Sequence, residues 1–441
     1  MVPRLLSLLV LVSLAACTPQ SGDTTSTTAP PGSKPSTTAP TSTAESTTTS
    51  APATTTLPAG TEDLPLEMRQ EIAELIGLTE ELRDLEFLQP PTIVVVTPEE
   101  LEARVREAIE EDTEEVPADE ALLKLLGLLD GEIDLLQLYL DLYGEQVAGF
   151  YDGETGELVV PAGDEFSALQ KATLVHELTH ALTDQRFGFN DAYEQLLEED
   201  RFDEAMGFLS VIEGDATLTE IFYIQQLPVA DQQELLQESF GADSSVFDSV
   251  PAFLQNSLIF PYRQGLAFVQ RAFELGGFDE VNRLYVEPPV SSEQIINPRD
   301  YERDFPVAVE VVGPTVSGYD VVFRSTWGQL SFDLMFDQVL GGAEEASEGW
   351  GGDGYIQWFD GSEAALVIEF VGDAPSDLEE MQAALVRYVP AAMAVDGAEE
   401  ADGGVVFEGD DYAFVRVVGD RLFFVAAGDP SVGRQIASSL P

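Results

Sequence analysis

The spacing of apolar residues along the chain predicts which parts are helical. From residue 64 to about residue 278, apolar positions recur mainly every three or four residues, which is the period of an amphipathic helix. This pattern predicts helices over residues 64–90, 98–111 and 118–143, and mostly helical structure from Glu213 to Phe278. Short β-branched or alternating runs interrupt it and predict a strand at 92–97 and a hairpin from 147–151 and 158–161.

After about residue 306 the period of the pattern changes to two, which is typical of strands. It predicts strands at 307–312, 320–324, 355–359, 365–371, 405–408, 412–418 and 422–427, and helices at 330–340, 377–388 and 431–439. We therefore predict an α+β fold in two domains. The first, residues 61–305, is largely helical with a small sheet, and the second, residues 306–441, is a smaller α+β domain.

Before residue 61 the sequence predicts a targeting segment and a linker. Arg4 and the apolar residues 5–14 are typical of an export signal over residues 1–17, and Leu14-Ala-Ala-Cys17 resembles a lipobox, whose cysteine carries a lipid. A plain secretory signal that is cut nearby is the alternative. Residues 18–60 are almost wholly Ser, Thr, Pro, Ala and Gly, which predicts a disordered tether. Cys17 is the only cysteine, and we expect an extracytoplasmic protein whose lipid holds it to a bacterial cell membrane.

The charge balance excludes one class of partner. The chain has 81 acidic and 20 basic residues, a formal net charge of −61. Such a surface repels nucleic acids, so we expect no nucleic-acid partner. The acids are dispersed along the sequence, which is typical of a solvating surface, and adaptation to a saline habitat is one explanation. The sequence leaves the oligomeric state open.

The two histidines of the chain lie four residues apart, in the run His176-Glu-Leu-Thr-His180. On a helix, residues i and i+4 share one face, so both imidazoles can bind one metal ion while Glu177 is turned toward a water beside it. Three leucines spaced four apart and capping residues at both ends predict that helix: Leu174, Leu178, Leu182, Asp164, Ser167 and Gly188. Two ordinary histidines on an amphipathic helix are the alternative reading.

A catalytic zinc takes three protein ligands and a water, so a third ligand is needed. The chain has no third histidine and its one cysteine is assigned to the lipid, which leaves a carboxylate. Glu213 is the best candidate because it interrupts the apolar helical run 205–212, and a buried acid is costly unless a cation compensates it. The interval from His180 leaves room for a loop over about 188–203 and a returning helix. Weaker candidates are Glu220, Glu198 and Glu199, and an ion pair with an arginine is the alternative for Glu213.

These motifs resemble zinc metallopeptidases of the gluzincin type, in which two helices supply His, His and Glu. The chain is similar in particular to a group of secreted bacterial metallopeptidases, over roughly residues 64 to 375. The resemblance implies a zincin-like catalytic domain, one Zn²⁺ and a peptide or protein substrate. Asn297 stands where such sequences have a histidine. Besides His176–Gln185 and the Glu213-Gly-Asp-Ala motif, the matching stretches are 146–152, 156–160, 261–265, 288–294 and 350–353.

The expected reaction is hydrolysis of a peptide bond by zinc-activated water, with Glu177 as general base and His176, His180 and Glu213 as metal ligands. We expect Tyr262 to stabilise the oxyanion, with Arg263 and Tyr223 as alternatives. Asp184 and Asp215 are candidates for acids that orient the imidazoles. The hairpin is a candidate for pairing with extended substrate, or an ordinary core hairpin.

Two other functions compete with this one. A lipid-anchored envelope protein that retains a zincin fold for binding or assembly would not need the base, and the intact Glu177 argues against it. A purely structural zinc would have four protein ligands, which are usually cysteines. The chain has one cysteine, so this use of zinc fits poorly.

Overall fold

The structure is a computed structural model that describes residues 57–111, 113–144, 149–163, 165–241, 244–299, 301–342 and 344–441. The predicted export signal, Cys17 and the tether up to residue 56 lie outside these residues. Asp164 and the first two residues of the predicted hairpin, 147 and 148, also lie outside them.

The fold is mixed α+β, as predicted. The helices before residue 300 are α1 (Leu66–Arg83), α2 (Pro98–Glu111), α3 (Val116–Leu125), α4 (Leu135–Gly144), α5 (Ala168–Phe187), α6 (Phe189–Glu198), α7 (Phe202–Gln226), α8 (Val229–Gly241), α9 (Ser245–Ser249), α10 (Ala252–Gly276), α11 (Phe278–Val286) and α12 (Ser292–Ile296). A three-stranded sheet accompanies them, with β1 (Thr92–Val96) parallel to β3 (Glu157–Pro161) and β2 (Phe150–Asp152) antiparallel to β3 at the edge.

Three predictions for this region were wrong. The helix expected over 64–90 ends at Arg83, because Asp84 adopts a left-handed conformation with φ of 52°. The helical stretch expected over 118–143 is interrupted and forms two helices, because Gly127 adopts a left-handed conformation with φ of 65° just after α3 ends. The loop expected over 188–203 contains α6, which starts directly after the left-handed Gly188 and buries Phe189, Tyr193 and two leucines. The apolar spacing within α6 is helical, but the sequence shows no N-cap other than the glycine that ends α5.

The C-terminal part is built on a seven-stranded antiparallel sheet. In spatial order its strands are β4 (Asp320–Ser325), β5 (Trp350–Phe359), β6 (Ala364–Gly372), β10 (Arg421–Ala427), β9 (Tyr412–Val418), β8 (Gly404–Gly409) and β7 (Val395–Ala401). Both faces of this sheet are covered. On β6, Ala365 and Val367 face a core that includes Val432 and Ile436, whereas Leu366 and Ile368 face the main core of the molecule. The helices of this part are α13 (Gly328–Leu340), α14 (Pro375–Ala392) and α15 (Pro430–Ser439).

Residues 307–312, predicted as a strand, belong to no strand. This segment passes over β5 at close range: a Cβ on Gly352 would lie 2.4 Å from the carbonyl oxygen of Val307, and one on Gly354 would lie 2.4 Å from that of Val309. Val309 and Val311 pack toward the sheet, whereas Val307 and Val312 are exposed, and the N–H of Val307 donates to the carbonyl oxygen of Gly351 at 2.8 Å. The segment therefore lies along the sheet without forming a strand of it. The boundary predicted at residue 306 falls within this connection.

One main cluster of buried apolar side chains extends from Leu64 on the N-terminal side to Ala426 in β10. The helices that carry the histidines and Glu213 thus share a core with the C-terminal sheet. In the described part of the chain, every helix is too short or too polar to cross a bilayer.

Candidate metal centre

Helix α5 carries the His176-Glu-Leu-Thr-His180 run, and its ends follow from local chemistry. Ser167 and Gln170 form a reciprocal capping box at its start, and Gly188 ends it in a left-handed conformation with φ of 63°. Residues 172–183 are all buried, so this helix lies in the middle of the domain rather than at its surface. The predicted helix, its cap and its end are confirmed.

Helix α7 returns alongside α5 and carries Glu213 at its middle. It packs closely on α10, because glycines on both helices remove the side chains between the two backbones. A Cβ on Gly265 would lie 2.2 Å from the carbonyl oxygen of Ser210, and one on Gly214 would lie 2.4 Å from the backbone carbonyl of Gly265. This close approach places α10 and its Tyr262 against the turn of α7 that carries Glu213.

The two imidazoles converge on the Glu213 carboxylate. Nε2 of His176 lies 3.1 Å from Oε2 of Glu213, and Nε2 of His180 lies 3.6 Å from the same oxygen. One ligand atom from each of the three residues lies within 4.8 Å of the other two. Glu213 is fully buried, and the two histidines are 4% and 1% exposed.

The protonation behaviour of these groups is dominated by burial and by one another. Burial opposes the ionisation of Glu213, but the two imidazoles outweigh it and lower its pKa to about 2. Burial lowers the pKa of His180 below its usual value. Burial also acts against a charge on His176, yet its contacts with Glu213 and Glu220 raise its pKa above the usual value. Metal binding at His176 would therefore release a proton.

The donor set fits a zinc ion. Within the described residues, Oε1 of Glu213 and Nε2 of His180 make no hydrogen bond although both atoms are buried. Buried polar atoms without partners are costly, and a metal ion would satisfy both. Two imidazole nitrogens and one carboxylate oxygen are a common ligand set of catalytic zinc, which keeps its fourth position for water or substrate.

Glu177 lies beside this group and is held by the small sheet. The backbone N–H of Tyr151 in β2 donates to Oε2 of Glu177 at 2.9 Å. Glu177 is 2% exposed, and this burial raises the pKa of its carboxyl well above the usual value. The edge strand of the predicted hairpin thus contacts the proposed base directly, a contact that the sequence did not indicate.

The three candidates for the oxyanion stabiliser have different surroundings. Tyr262 stacks against His176, with 6.2 Å between the ring centroids and 25° between the ring planes. Arg263, the next residue of the same helix, is exposed. Tyr223 is buried, and its pKa is raised to about 12 by burial and by the neighbouring acids Glu71 and Asp231. Of the three, the structure places only Tyr262 beside a candidate ligand.

Asp184 and Asp215, the acids expected to orient the imidazoles, form hydrogen bonds with other groups. Asp184 accepts from the Tyr151 hydroxyl at 2.7 Å and from the N–H of Asn190 at 2.9 Å. Its carboxylate therefore ties β2 to α5 and contacts neither imidazole in the described structure.

Asp215 is fully buried and forms an ion pair with Arg83 of α1, whose Nε lies 2.8 Å from Oδ1. The Tyr285 hydroxyl donates to Oδ2 at 2.9 Å. This network joins α1, α7 and α11 directly behind the metal ligands. Arg83 was not singled out from the sequence, because α1 is amphipathic and carries several other charged residues.

The weaker candidates for the third ligand lie in different places. Glu198 and Glu199 are exposed at the end of α6 and its cap. Glu220 lies two turns after Glu213 on α7, and its Oε2 is 3.3 Å from Nδ1 of His176, on the ring edge opposite the Glu213 contact. Glu220 therefore contacts a candidate ligand without joining the ligand set.

Comparison with known proteins bears on the C-terminal part alone. A family model described as a domain of unknown function, DUF8575, matches residues 317–437. No curated protein and no solved structure matches the chain. The match begins just before β4 and contains none of the residues of the candidate metal centre, so the C-terminal sheet and its helices are similar to this family.

Proposed function

We propose that the chain is a zinc-dependent metallopeptidase of the gluzincin type that hydrolyses peptide bonds. The observation that carries the proposal is the convergence of His176, His180 and Glu213, whose ligand atoms lie within 4.8 Å of one another, with Glu177 on the same helix turn. In this proposal residues 61–305 form a zincin-like catalytic domain, and residues 306–441 form a second domain packed against it.

The role that we assign to Glu177 follows from its surroundings. Tyr151 occupies Oε2, which leaves Oε1 to take a proton from the attacking water and to pass it to the leaving amine. Burial makes this carboxylate a stronger base than an exposed glutamate. The hydrogen bond from a backbone N–H fixes its orientation without supplying a competing side-chain acid.

His176, His180 and Glu213 would hold one Zn²⁺. Zinc in such a site supplies Lewis-acid chemistry, because it lowers the pKa of a coordinated water toward about 7 and polarises a carbonyl. Tyr262 is the donor that we assign to the developing oxyanion, because its ring stacks on His176. The substrate class is a peptide or protein, and we propose that β2 binds it along its open edge.

The proposed location is outside the cytoplasm, with the lipid on Cys17 as the membrane anchor. The lipobox-like tetrapeptide, the single cysteine and the polar tether support this proposal. The root-mean-square end-to-end distance of such a flexible chain is about 5–6 Å times the square root of the number of residues. The tether would therefore let the domains reach some tens of ångströms from the membrane.

One observation favours a non-catalytic alternative. Glu177 and the two histidines are at most 4% exposed, so the proposed centre is closed to a polypeptide in this conformation. A lipid-anchored envelope protein that uses the zincin fold for binding or assembly would also have such a closed centre.

The deciding experiment uses the purified protein with measured zinc content and a library of diverse peptides. Peptide cleavage that is abolished by a chelator and restored by zinc supports the peptidase. Stoichiometric zinc without cleavage of any peptide supports the binding module. Absence of zinc from a folded protein overturns the proposed metal centre.

A further inference from the structure

The His176 ring lies between two glutamates of one helix. Its Nε2 faces Glu213 at 3.1 Å and its Nδ1 faces Glu220 at 3.3 Å. These two acids are seven residues apart on α7, which places them on one face of the helix about two turns, or about 10 Å, apart. An imidazole with one nitrogen toward each acid therefore lies lengthwise along α7.

The environment strengthens the contact with Glu220. The His176 side chain is 5% exposed and that of Glu220 is 13% exposed, so water competes little for Nδ1. The residual exposure of Glu220 allows its charge some solvation, which reduces the cost of placing a further acid here. The Nδ1–Oε2 separation lies within hydrogen-bonding distance, but the two groups are not aligned as an ideal hydrogen bond.

The two histidines differ in this respect. Among the residues that the structure describes, neither Nδ1 makes a hydrogen bond, but Nδ1 of His176 lies 3.3 Å from a carboxylate oxygen of Glu220. Asp184 and Asp215 bind other groups. A histidine ligand usually donates its second N–H to a carboxylate or a carbonyl, which fixes the tautomer and the orientation of the ring. Only His176 has such a carboxylate.

We propose that Glu220 is a positioning residue that accepts the Nδ1–H of His176 and thereby presents Nε2 to the metal. The inference rests on the proposed zinc site and adds to it an acid seven residues beyond the third ligand. Glu220 itself binds neither metal nor substrate in this proposal. Its effect is to restrict the ring to the tautomer and orientation in which the metal-binding nitrogen carries no proton.

The test compares Glu220→Ala, Glu220→Gln and the control Glu198→Ala in the purified full-length protein. The control removes one negative charge at an exposed position. Zinc affinity is measured by competition with a chelating dye, and Nδ1–H is followed by NMR in protein with ¹⁵N-labelled histidine, where only two imidazoles contribute signals.

Glu220→Ala should weaken zinc binding about 10- to 100-fold and remove the exchange-protected Nδ1 proton of His176. Glu220→Gln should lose less affinity because its amide oxygen still accepts a hydrogen bond, and Glu198→Ala should match the wild type. Equal losses in Glu220→Ala and Glu198→Ala, or an unchanged Nδ1 proton in Glu220→Ala, would overturn the inference.

The same experiment separates this inference from the proposed function. If the wild type binds no zinc, the proposed function fails, and the metal-free spectra alone decide the role of Glu220. An Nδ1 proton that disappears in Glu220→Ala supports the contact, and one that persists refutes it.

Discussion

Tyr151 contacts α5 twice, through its backbone N–H to Glu177 at 2.9 Å and through its hydroxyl to Asp184 at 2.7 Å. One residue of the edge strand thus fixes the proposed base and a carboxylate two turns further along the same helix. The strand and the helix are held in one arrangement at the point where, in the proposed function, substrate and base meet.

The first prediction concerns Glu177. Glu177→Gln keeps the shape of the side chain and can still accept the Tyr151 N–H, but it cannot take up a proton. We expect unchanged zinc content and a fall in peptide cleavage of at least about 10²- to 10⁴-fold, the contribution of general acid–base catalysis. Zinc analysis and cleavage rates on one preparation check it, and a variant as active as the wild type would refute the mechanism.

The second prediction concerns the metal ligands. His176→Ala removes one of three protein ligands and leaves the buried Glu213 without one of its two imidazole neighbours. We expect loss of stoichiometric zinc by elemental analysis, with a lower melting temperature because the buried Glu213 loses one of the two groups that compensate its burial. Full zinc retention in this variant would show that the ion binds elsewhere.

The parts of the site that could be predicted from sequence are those set by local chemistry. The helix around His176 follows from the Ser167 cap, the leucine spacing and the terminal Gly188, all of which act within a few residues. Glu213 could be identified because an acid within an apolar run needs compensation. Such signals involve neighbours in sequence and do not depend on the packing of the whole chain.

The remaining contacts depend on which elements pack together. Asp184 was expected to face an imidazole, but it binds Tyr151 because β2 packs on that side of α5. The acidic strand β7 was missed because its exposed sequence, Val-Asp-Gly-Ala-Glu-Glu-Ala, lacks an apolar alternation, and its pairing with β8 supplies the structure. Apolar periodicity reports which side chains are buried, so it cannot identify an exposed strand such as β7.

The third prediction tests the packing of α7 against α10. Gly265→Ala would place a Cβ 2.2 Å from the Ser210 carbonyl oxygen, so the helices must separate near Glu213. We expect a loss of about 1–3 kcal/mol in stability, measured by chemical denaturation, together with weaker zinc binding.

Gly77→Ala is the control for that variant. It lies in α1, where a new Cβ would meet no atom within 4 Å, so it should stabilise the protein by about 0.5–1 kcal/mol. A Gly265→Ala variant that is as stable as the wild type, or more stable, would show that α7 and α10 do not approach each other as closely as described.

The fourth prediction concerns pH and stability. Asp203, at the start of α7, is buried near Asp353 of β5, and burial together with the charge of Asp353 raises its pKa to about 7. Its unfolded pKa is near the usual value of about 4. Between pH about 4 and about 7, Asp203 is protonated in the folded protein but ionised in the unfolded chain. The free energy of unfolding therefore falls as the pH rises through this range, by up to about 1.4 kcal/mol per pH unit.

Asp203→Asn should therefore gain stability relative to the wild type as the pH increases from 5 to 8, by on the order of 2 kcal/mol. Thermal or urea unfolding of both proteins at several pH values gives the difference between their stabilities. The titration of the other acids is common to both proteins and cancels in this difference. Parallel pH profiles would show that Asp203 titrates normally in the folded protein.

The fifth prediction concerns Cys17, the only cysteine of the chain. The residues that follow it are too polar to hold a membrane, and one acyl chain gives only marginal binding, so stable association requires a diacylated cysteine. Cys17→Ser should either retain its signal segment or be released into the medium. Mass spectrometry of the mature N-terminal peptide decides the point: an unmodified terminus at another residue would exclude the lipid anchor. The argument for the metal centre would be unaffected, because it rests on side chains more than 150 residues away from Cys17 in the sequence.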